Sequence, residues 1–363
     1  MVFGLFKKKK KEQKDSRYLT LTVREVIEIA KDSVNLVFEN PSEPFDYQPG
    51  QFITLIMTID GNKIRRAYSL CTTPFEDEFP AVTVKRVPGG AMSNYVNDHV
   101  KAGDQIEVME PMGMFTTEYD ESTPREAIFF GGGSGITPLI SLIRSILIKQ
   151  PKSKLLLVYG NRSREYIAFY DKLNELKEKF SEQFDVIHIL EEDKEGIAKY
   201  TGRPTTAVIQ KIIKDSGFSE PTCYLCGPQP MMDVVSEGLR GYGLKDEQIR
   251  MESFESGKTS PDLEDKKAKA STKTSEVTIL MDGDEFVIDV KSNESILEAG
   301  LENDLDMPYS CQSGLCTACR GKCLEGEISQ EDAEGLSQEE MDEGYRLLCI
   351  GKPMTDKVIV EVG

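Results

Sequence analysis

At 363 residues the chain is long enough for two or three domains, each with its own core. It carries 44 basic and 62 acidic side chains, a net charge of −18, which argues against nucleic acid as a partner. The charge is lopsided: residues 276–363 hold 21 acidic and 6 basic side chains, −15 of the total, and such a lobe suits a partner with a basic docking surface.

The chain opens MVFGLFKKKKKEQK, with the apolar residues ahead of the basic ones and too few of them for a signal peptide. Residues 1–16 read as a basic, flexible tail. A weak contact of Phe3, Leu5, Phe6 and Lys7 to Lys11 with an anionic membrane surface is the second reading. The most apolar stretch, Ala127 to Ile148, contains Arg144 and a glycine cluster, so it reads as a buried strand followed by a helix, not a membrane span. The expectation is a cytoplasmic protein.

Residues 17–122 alternate apolar and polar in short runs such as YLTLTV, QFITLIM and AVTVKR, separated by Pro49–Gly50, Asp60–Gly61, Pro88–Gly89–Gly90 and Gly103–Asp104. That pattern predicts an antiparallel β-barrel. Within it, RRAYSLCT (65–72) offers a cation, an aromatic ring and a hydroxyl, the groups a flavin site uses. A plain strand with an exposed arginine and a core tyrosine is the alternative. In PGGAMSNYV (88–96), Gly89 and Gly90 permit close backbone approach, and Ser93 is placed to cap a helix whose N-terminus suits phosphate.

From 123 to 256 strand-like and helix-like runs alternate, which predicts an α/β domain with a parallel sheet. AIFFGG precedes PLISLIRSIL, KLLLVYG precedes REYIAFYDKLNELKEKF, FDVIHIL precedes TAVIQKIIKDSG, TCYLCG precedes PMMDVVSEGLR, and IRMESF closes the series. GGGSGITP (131–138) and CGPQPMM (226–232) fall at carboxyl ends of strands, where a dinucleotide binds; close strand–helix packing is the alternative. Arg162 and Arg164 follow the second strand, where a 2′-phosphate would be read, and favour NADPH over NADH. They also suit an exposed helix start with Ser163 as its cap. Cys223 and Cys226 lie three apart on a strand, on opposite faces, and are not expected to bridge. His99 and His188 are isolated and receive no role.

Residues 257–275 hold almost no large apolar side chains and read as a linker. In 276–363, VTILMDGDEFVIDV predicts a hairpin around Asp282–Gly283, and SILEAGLEND a short helix. Cys311, Cys316 and Cys319 then form C-x4-C-x2-C, with Cys349 about thirty residues on, the plant-type spacing of a 2Fe–2S cluster. Structural zinc favours paired C-x2-C or histidine ligands, and disulfides belong to secreted chains. Cys323 fits no ligand position and reads as a buried small apolar side chain.

With R-x-Y-S, G-x-x-S, GSGITP, CGP and the cysteine loop in this order, the chain resembles the ferredoxin–NADP reductase superfamily. It looks most like oxygenase reductases with a C-terminal plant-type ferredoxin domain, including the phenylacetyl-CoA epoxidase reductase-like proteins. The resemblance implies a β-grasp ferredoxin domain, FAD as the flavin and NAD(P)H as donor. It implies Arg66 at the flavin pyrophosphate, with Arg65 beside it as an alternative, Tyr68 on the isoalloxazine and Ser69 near its reactive nitrogen. Gly90, Ala91, Met92 and Ser93 would wrap the phosphates. Gly133, Gly135, Ile136 and Thr137 would line the pyridine dinucleotide. Cys226 and Gly227 would lie beside the nicotinamide, with Phe254 at the other flavin face and Glu252 in the proton network. Cys311, Cys316, Cys319 and Cys349 would ligate iron. The implied activity passes electrons from hydride through FAD and the cluster to an oxygenase, hydroxylase or desaturase. A hybrid-cluster protein or soluble ferredoxin as acceptor, and a non-enzymatic carrier or redox sensor, are the alternatives. The long polar linker implies transient docking of the ferredoxin domain.

Overall fold

The computed structural model describes residues 18–39, 45–254, 274–281, 283–309, 312, 314, 316–330, 333 and 335–362. The basic tail, positions 257–273 of the expected linker, Asp282 and Cys311 lie outside the described residues.

The first unit is the expected antiparallel barrel. Its strands are β1 (Tyr18–Ala30), β2 (Ser33–Phe38), β3 (Phe52–Ile59), β4 (Asn62–Ser69), β5 (Ala81–Lys85) and β6 (Gln105–Met112), ordered β4-β3-β6-β1-β2-β5. Every neighbouring pair is antiparallel, and a bridge between Leu70 and Val82 joins the two ends. The period-two alternation sends Leu21, Val23, Leu36, Phe38, Ile53 and Leu55 into a fully buried core. Helix α1 (Ala91–His99) adds Met92 and Val96 to it. Ser93 is not the cap expected. Gly90 already has the extended backbone of an N-cap, so the helix starts earlier. Ser93 sits in the first turn, accepts from the Val87 N–H at 3.1 Å and donates to the Gly90 carbonyl at 3.3 Å, tying down the loop before the helix.

The second unit has β7 (Glu126–Gly132), α2 (Ile136–Lys149), β8 (Lys154–Asn161), α3 (Tyr170–Lys179), β9 (Phe184–Leu190), β10 (Tyr200–Thr201), α4 (Thr206–Ser216), β11 (Thr222–Cys226), α5 (Gln229–Tyr242) and β12 (Ile249–Glu252). The sheet is parallel, in the order β10-β9-β8-β7-β11-β12. Both faces are covered, as a parallel sheet requires. Ala127, Phe129, Leu155 and Leu157 pack with α2 and α3, while Ile128, Phe130, Leu156 and Val158 pack with α4 and α5. Cys223 and Cys226 fall in these two opposite cores and are both free thiols. The REYIAFYDKLNELKEKF pattern is not one helix. A 3-10 turn at Arg164–Tyr166 comes first, then the chain bends at Phe169 (φ 62°) so that Ile167 and Ala168 enter the core.

The third unit is the expected α+β module. Strands β13 (Thr274–Met281), β14 (Asp284–Lys291), β15 (Arg320–Glu325), β16 (Tyr345–Leu347) and β17 (Lys357–Val362) lie in the order β14-β13-β17-β15-β16, with β13 and β17 parallel. Helices α6 (Ile296–Glu302) and α7 (Gln338–Asp342) complete it. Ser295 and Glu298 close a capping box on α6, which seats Ile296 and Leu297 in the core. Strand β13 begins two residues inside the expected linker, because Ser275 and Val277 already alternate inward.

The barrel and the parallel sheet are joined through α2. Arg144, 8% exposed, donates to both carboxylate oxygens of Asp77 at 2.7 and 2.8 Å and to Glu76 at 2.7 Å. Ser145 donates to Thr73 Oγ1 and Ser141 to the Thr72 carbonyl. The lone cation of the most apolar segment is therefore paired across an interface. Replacing Arg144 by Ala takes the cation from Asp77, which keeps the Thr73 N–H, and leaves Glu76 to Lys179, so thermal or urea unfolding is expected to show a loss of about 1–3 kcal/mol.

Candidate functional site

Strand β4 organises the site. Arg66 and Tyr68 point to one side of it and Arg65 to the other. Arg66, Tyr68 and Ser69 line a cavity of about 980 Å³ together with Gly90, Ala91, Met92 and Ser93. Thr137 lines it from the parallel sheet, Glu252 and Phe254 from the end of β12, and Cys316 from the ferredoxin-like module. That volume suits a large cofactor. The Arg66 guanidinium spends one donor on the Arg65 carbonyl at 2.7 Å, and a guanidinium has five to give. A Cβ at Gly90 would meet Ser93 Oγ at 2.6 Å, so glycine keeps the approach to α1 open. The residues present therefore fit a flavin with a phosphate arm: Tyr68 as the ring surface, Arg66 and the start of α1 at the phosphates.

Ser69 Oγ donates to Glu252 Oε2 at 3.5 Å. Burial pushes the Glu252 carboxyl up to about 8, partly opposed by the Ser69 hydrogen bond. Burial likewise pushes the Tyr68 phenol up to about 12. The Cys226 thiol is fully buried and lies well above its ordinary range, through desolvation first and the Glu252 charge second. This corner thus holds a neutral thiol, a neutral phenol and a carboxyl able to exchange a proton near pH 8.

The two glycine-rich turns interlock at the carboxyl ends of β7 and β11. A Cβ at Gly135 would lie 2.0 Å from the Cys226 carbonyl oxygen, and one at Gly227 would lie 2.9 Å from the Gly132 nitrogen. Gly133 adopts φ 52° and Gly227 φ 158°. Gly135 is thereby brought against Cys226 and Gly227, while Gly133 lies beside Lys85. Thr137 reaches the cavity wall, whereas Ile136 is fully buried in the core beneath the turn. Arg164 pairs with Glu195 at 3.3 Å and lies over the Tyr170 ring, while Arg162 lies over Tyr166 beyond the end of β8. Lys85 belongs to none of the sequence motifs. It lines the same cavity, its Nζ stands 3.1 Å from the Cβ position of Gly133, and burial and then Arg162 lower its pKa. Only its place at the end of AVTVK, before Pro88–Gly89–Gly90, hints at it.

The cysteine loop is held by strand pairing. Arg320 of β15 pairs with Leu347 of β16, and the Leu348 N–H donates to the Cys319 carbonyl at 3.0 Å. Cys319 and Cys349, adjacent to these residues, are so brought to one end of the sheet. Cys316 and Cys319 lie close along this loop, and Gly314 (φ 77°) accepts from the Gly335 N–H at 2.8 Å. Among the described residues no three His, Cys, Asp or Glu side chains converge on a single metal ion. A 2Fe–2S cluster instead spreads four thiolates over two irons, and cysteines gathered at one end of a sheet fit that chemistry. Cys323 is half-buried, not buried as expected, because β15 is running out toward solvent; its thiol lies 3.6 Å from the Glu325 and Gly326 carbonyls. Among the described residues no helix is long and apolar enough to cross a membrane.

Because the folded state raises the Glu252 pKa, it takes up a proton that the unfolded chain releases between about pH 4.5 and 8. Wild-type stability therefore falls with rising pH in that window. Glu252→Gln removes the penalty, so denaturant unfolding is expected to show the variant gaining on wild type from pH 5 to 8, by roughly 2 kcal/mol.

Comparison with known proteins agrees with this geometry. The oxidoreductase FAD-binding domain matches residues 20–117, the oxidoreductase NAD-binding domain residues 129–237 and the 2Fe–2S iron–sulfur cluster binding domain residues 279–354. The chain is 34% identical over 354 residues to the ferredoxin reductase component of 3-ketosteroid-9-alpha-monooxygenase from Rhodococcus rhodochrous, covering 95% of this chain and 97% of that protein. It is 31% identical to a 1,2-phenylacetyl-CoA epoxidase component from Escherichia coli K12, covering 94% and 97%. Phthalate dioxygenase reductase shares the fold, with a TM-score of 0.60 at 23% identity, over 95% of this chain and 98% of that one. The barrel, the parallel sheet and the cysteine module are thus FAD-, NAD(P)H- and 2Fe–2S-binding domains, and the chain belongs to the ferredoxin–NADP reductase superfamily, among the oxygenase reductases with a C-terminal 2Fe–2S domain.

Proposed function

We propose that this chain draws hydride from NADPH and delivers single electrons to an oxygenase, hydroxylase or desaturase. The observation that carries the reading is one cavity with Tyr68 and Ser69 on one wall and Cys316 on another. When bound, the nicotinamide supplies two electrons as hydride, the flavin accepts them together and releases them singly, and the cluster carries one at a time. The protein's own part is placement. Arg66 and the start of α1 hold phosphate, and Tyr68 and Phe254 enclose the ring from two sides. Ser69 and Glu252 hold a proton beside the reactive edge, while buried Cys226 and Gly227 shape the nicotinamide berth. Gly133, Gly135 and Thr137 let the dinucleotide approach the α2 N-terminus. Cys311, Cys316, Cys319 and Cys349 are the iron ligands.

Arg162 and Lys85 place two cations near the end of β8, which supports NADPH over NADH; Arg164 is already engaged by Glu195. The functional domains run 17–122, 123–256 and 276–363, with the FAD domain first. The acidic 276–363 lobe supports a basic docking surface on the acceptor, and the unbridged Cys71, Cys223 and Cys226 support a cytoplasmic setting. The basic tail serves as a solubilising segment, with weak anionic-membrane contact as its secondary use.

The test is cofactor extraction with iron and sulfide quantification, then anaerobic mixing with each nicotinamide. FAD, iron and sulfide are expected, with flavin and cluster bands bleaching faster with NADPH. Arg162→Ala should raise KM for NADPH about tenfold while leaving that for NADH within about twofold. Zinc in place of iron and sulfide, or no bleaching with either nicotinamide, would overturn the reading.

A further inference from the structure

Arg65 takes no part in the cavity, yet it is 3% exposed. The alternation of β4 turns it away from Arg66 and Tyr68. Its Nη1 donates to the Tyr18 hydroxyl at 3.2 Å, and its Nη2 pairs with the carboxylate of Asp306. The guanidinium carbon lies 5.7 Å from the Tyr18 ring centre and 5.2 Å from that of Tyr309. Tyr18 belongs to the barrel. Asp306 and Tyr309 belong to the ferredoxin domain, in the segment between α6 and the cysteine loop, and Tyr309 stands two residues before Cys311. The contact therefore runs from the flavin strand to the chain entering the cluster loop. A planar guanidinium that lies within cation–π reach of two rings while donating to a hydroxyl and pairing with a carboxylate does what a lysine cannot.

We propose that Arg65 is a positioning residue that docks the ferredoxin domain on β4, so that one strand presents Arg66 and Tyr68 on one face and fixes the cluster loop through Arg65 on the other. The proposal rests on the electron-transfer reading above. The step it governs moves one electron from reduced flavin to oxidised cluster, with no bond made or broken, and the two electrons of each hydride leave in two such steps. Its rate depends on holding Cys316 at the cavity wall. Asp306, 62% exposed, is the partner that can be changed without disturbing a core.

The experiment compares wild type with Asp306→Lys, Asp306→Asn and Asp306→Glu in the cofactor-loaded full chain. Stopped-flow mixing with nicotinamide separates flavin bleaching from cluster bleaching. Amide hydrogen exchange, on loaded and cofactor-free protein, reports segments 62–69 and 305–309. Asp306→Lys is expected to slow cluster reduction about tenfold, with flavin reduction within about twofold of wild type and faster exchange at 305–309. Asp306→Asn should fall between, and Asp306→Glu should restore both signals. Arg65→Lys, which keeps the charge but cannot reach Tyr18 and Asp306 with two separate donors, should behave like Asp306→Asn. Unchanged cluster reduction and exchange in Asp306→Lys would overturn the proposal, as would equal slowing of flavin and cluster. A wild-type cluster that nicotinamide never bleaches would instead overturn the electron-transfer reading itself.

Discussion

A β-strand shows successive side chains to opposite sides, and β4 uses both. Arg66 and Tyr68 face the cavity, while Arg65 faces Tyr18, Asp306 and Tyr309. Because neighbouring side chains on one strand cannot drift apart, any shift of β4 would move the flavin wall and the cluster-loop contact together. The strand is itself pinned along its length, since Asn62 to Ser69 pair in register with Ile59 to Phe52. This rigidity lets a thin element set the distance between two domains that are remote in the chain.

Close backbone approach plays the corresponding part in the parallel sheet. The β7–α2 turn and the end of β11 meet with no room for a side chain at Gly135. The strand order puts β7 and β11 side by side at the place where helices switch faces, α2 on one side and α5 on the other. A crevice at that switch point is where such sheets bind ligands. Arg144 and the α2 serines then hold the barrel loop 72–77 against the same helix, so the cavity wall from the barrel is registered to the wall from the sheet.

Local features were legible in the sequence because they rest on local physics. Alternation in YLTLTV and QFITLIM marked strands, and the C-x4-C-x2-C spacing marked a ligand loop whose geometry depends on few residues. GGGSGITP and CGP could be placed at strand ends because a strand–turn–helix rhythm is periodic. What the sequence hid was contact across long separations. Arg65 and Asp306 are 241 positions apart, and in a double arginine beside Tyr68 either one reads as the phosphate ligand. Lys85 looks like the end of a strand until the sheet places Gly133 beside it. Competing local choices hid the remainder: Gly90 took the cap that Ser93 resembled, and burial of Ile167 and Ala168 broke a helix-like pattern.

The charge distribution ties these scales together. A lobe carrying −15 would repel itself and its surroundings unless some of its carboxylates were answered. Within the lobe, Arg320 meets the mostly buried Glu340 at 2.8 Å, while the exposed pair of Lys357 and Glu276 at 2.9 Å only offsets charge. Asp306 is answered from outside, by a cation that is buried between Tyr18 of the barrel and Tyr309 of the ferredoxin domain. An exposed carboxylate gains little from an exposed partner, but a cation stripped of water interacts more strongly and is less screened by salt. The same acidic lobe can thus be held at one point inside the molecule while most of its surface charge stays free to steer a basic acceptor. The contact at Arg65 is short-range and external recognition works through a diffuse field, so salt should weaken delivery to the acceptor well before it weakens that contact.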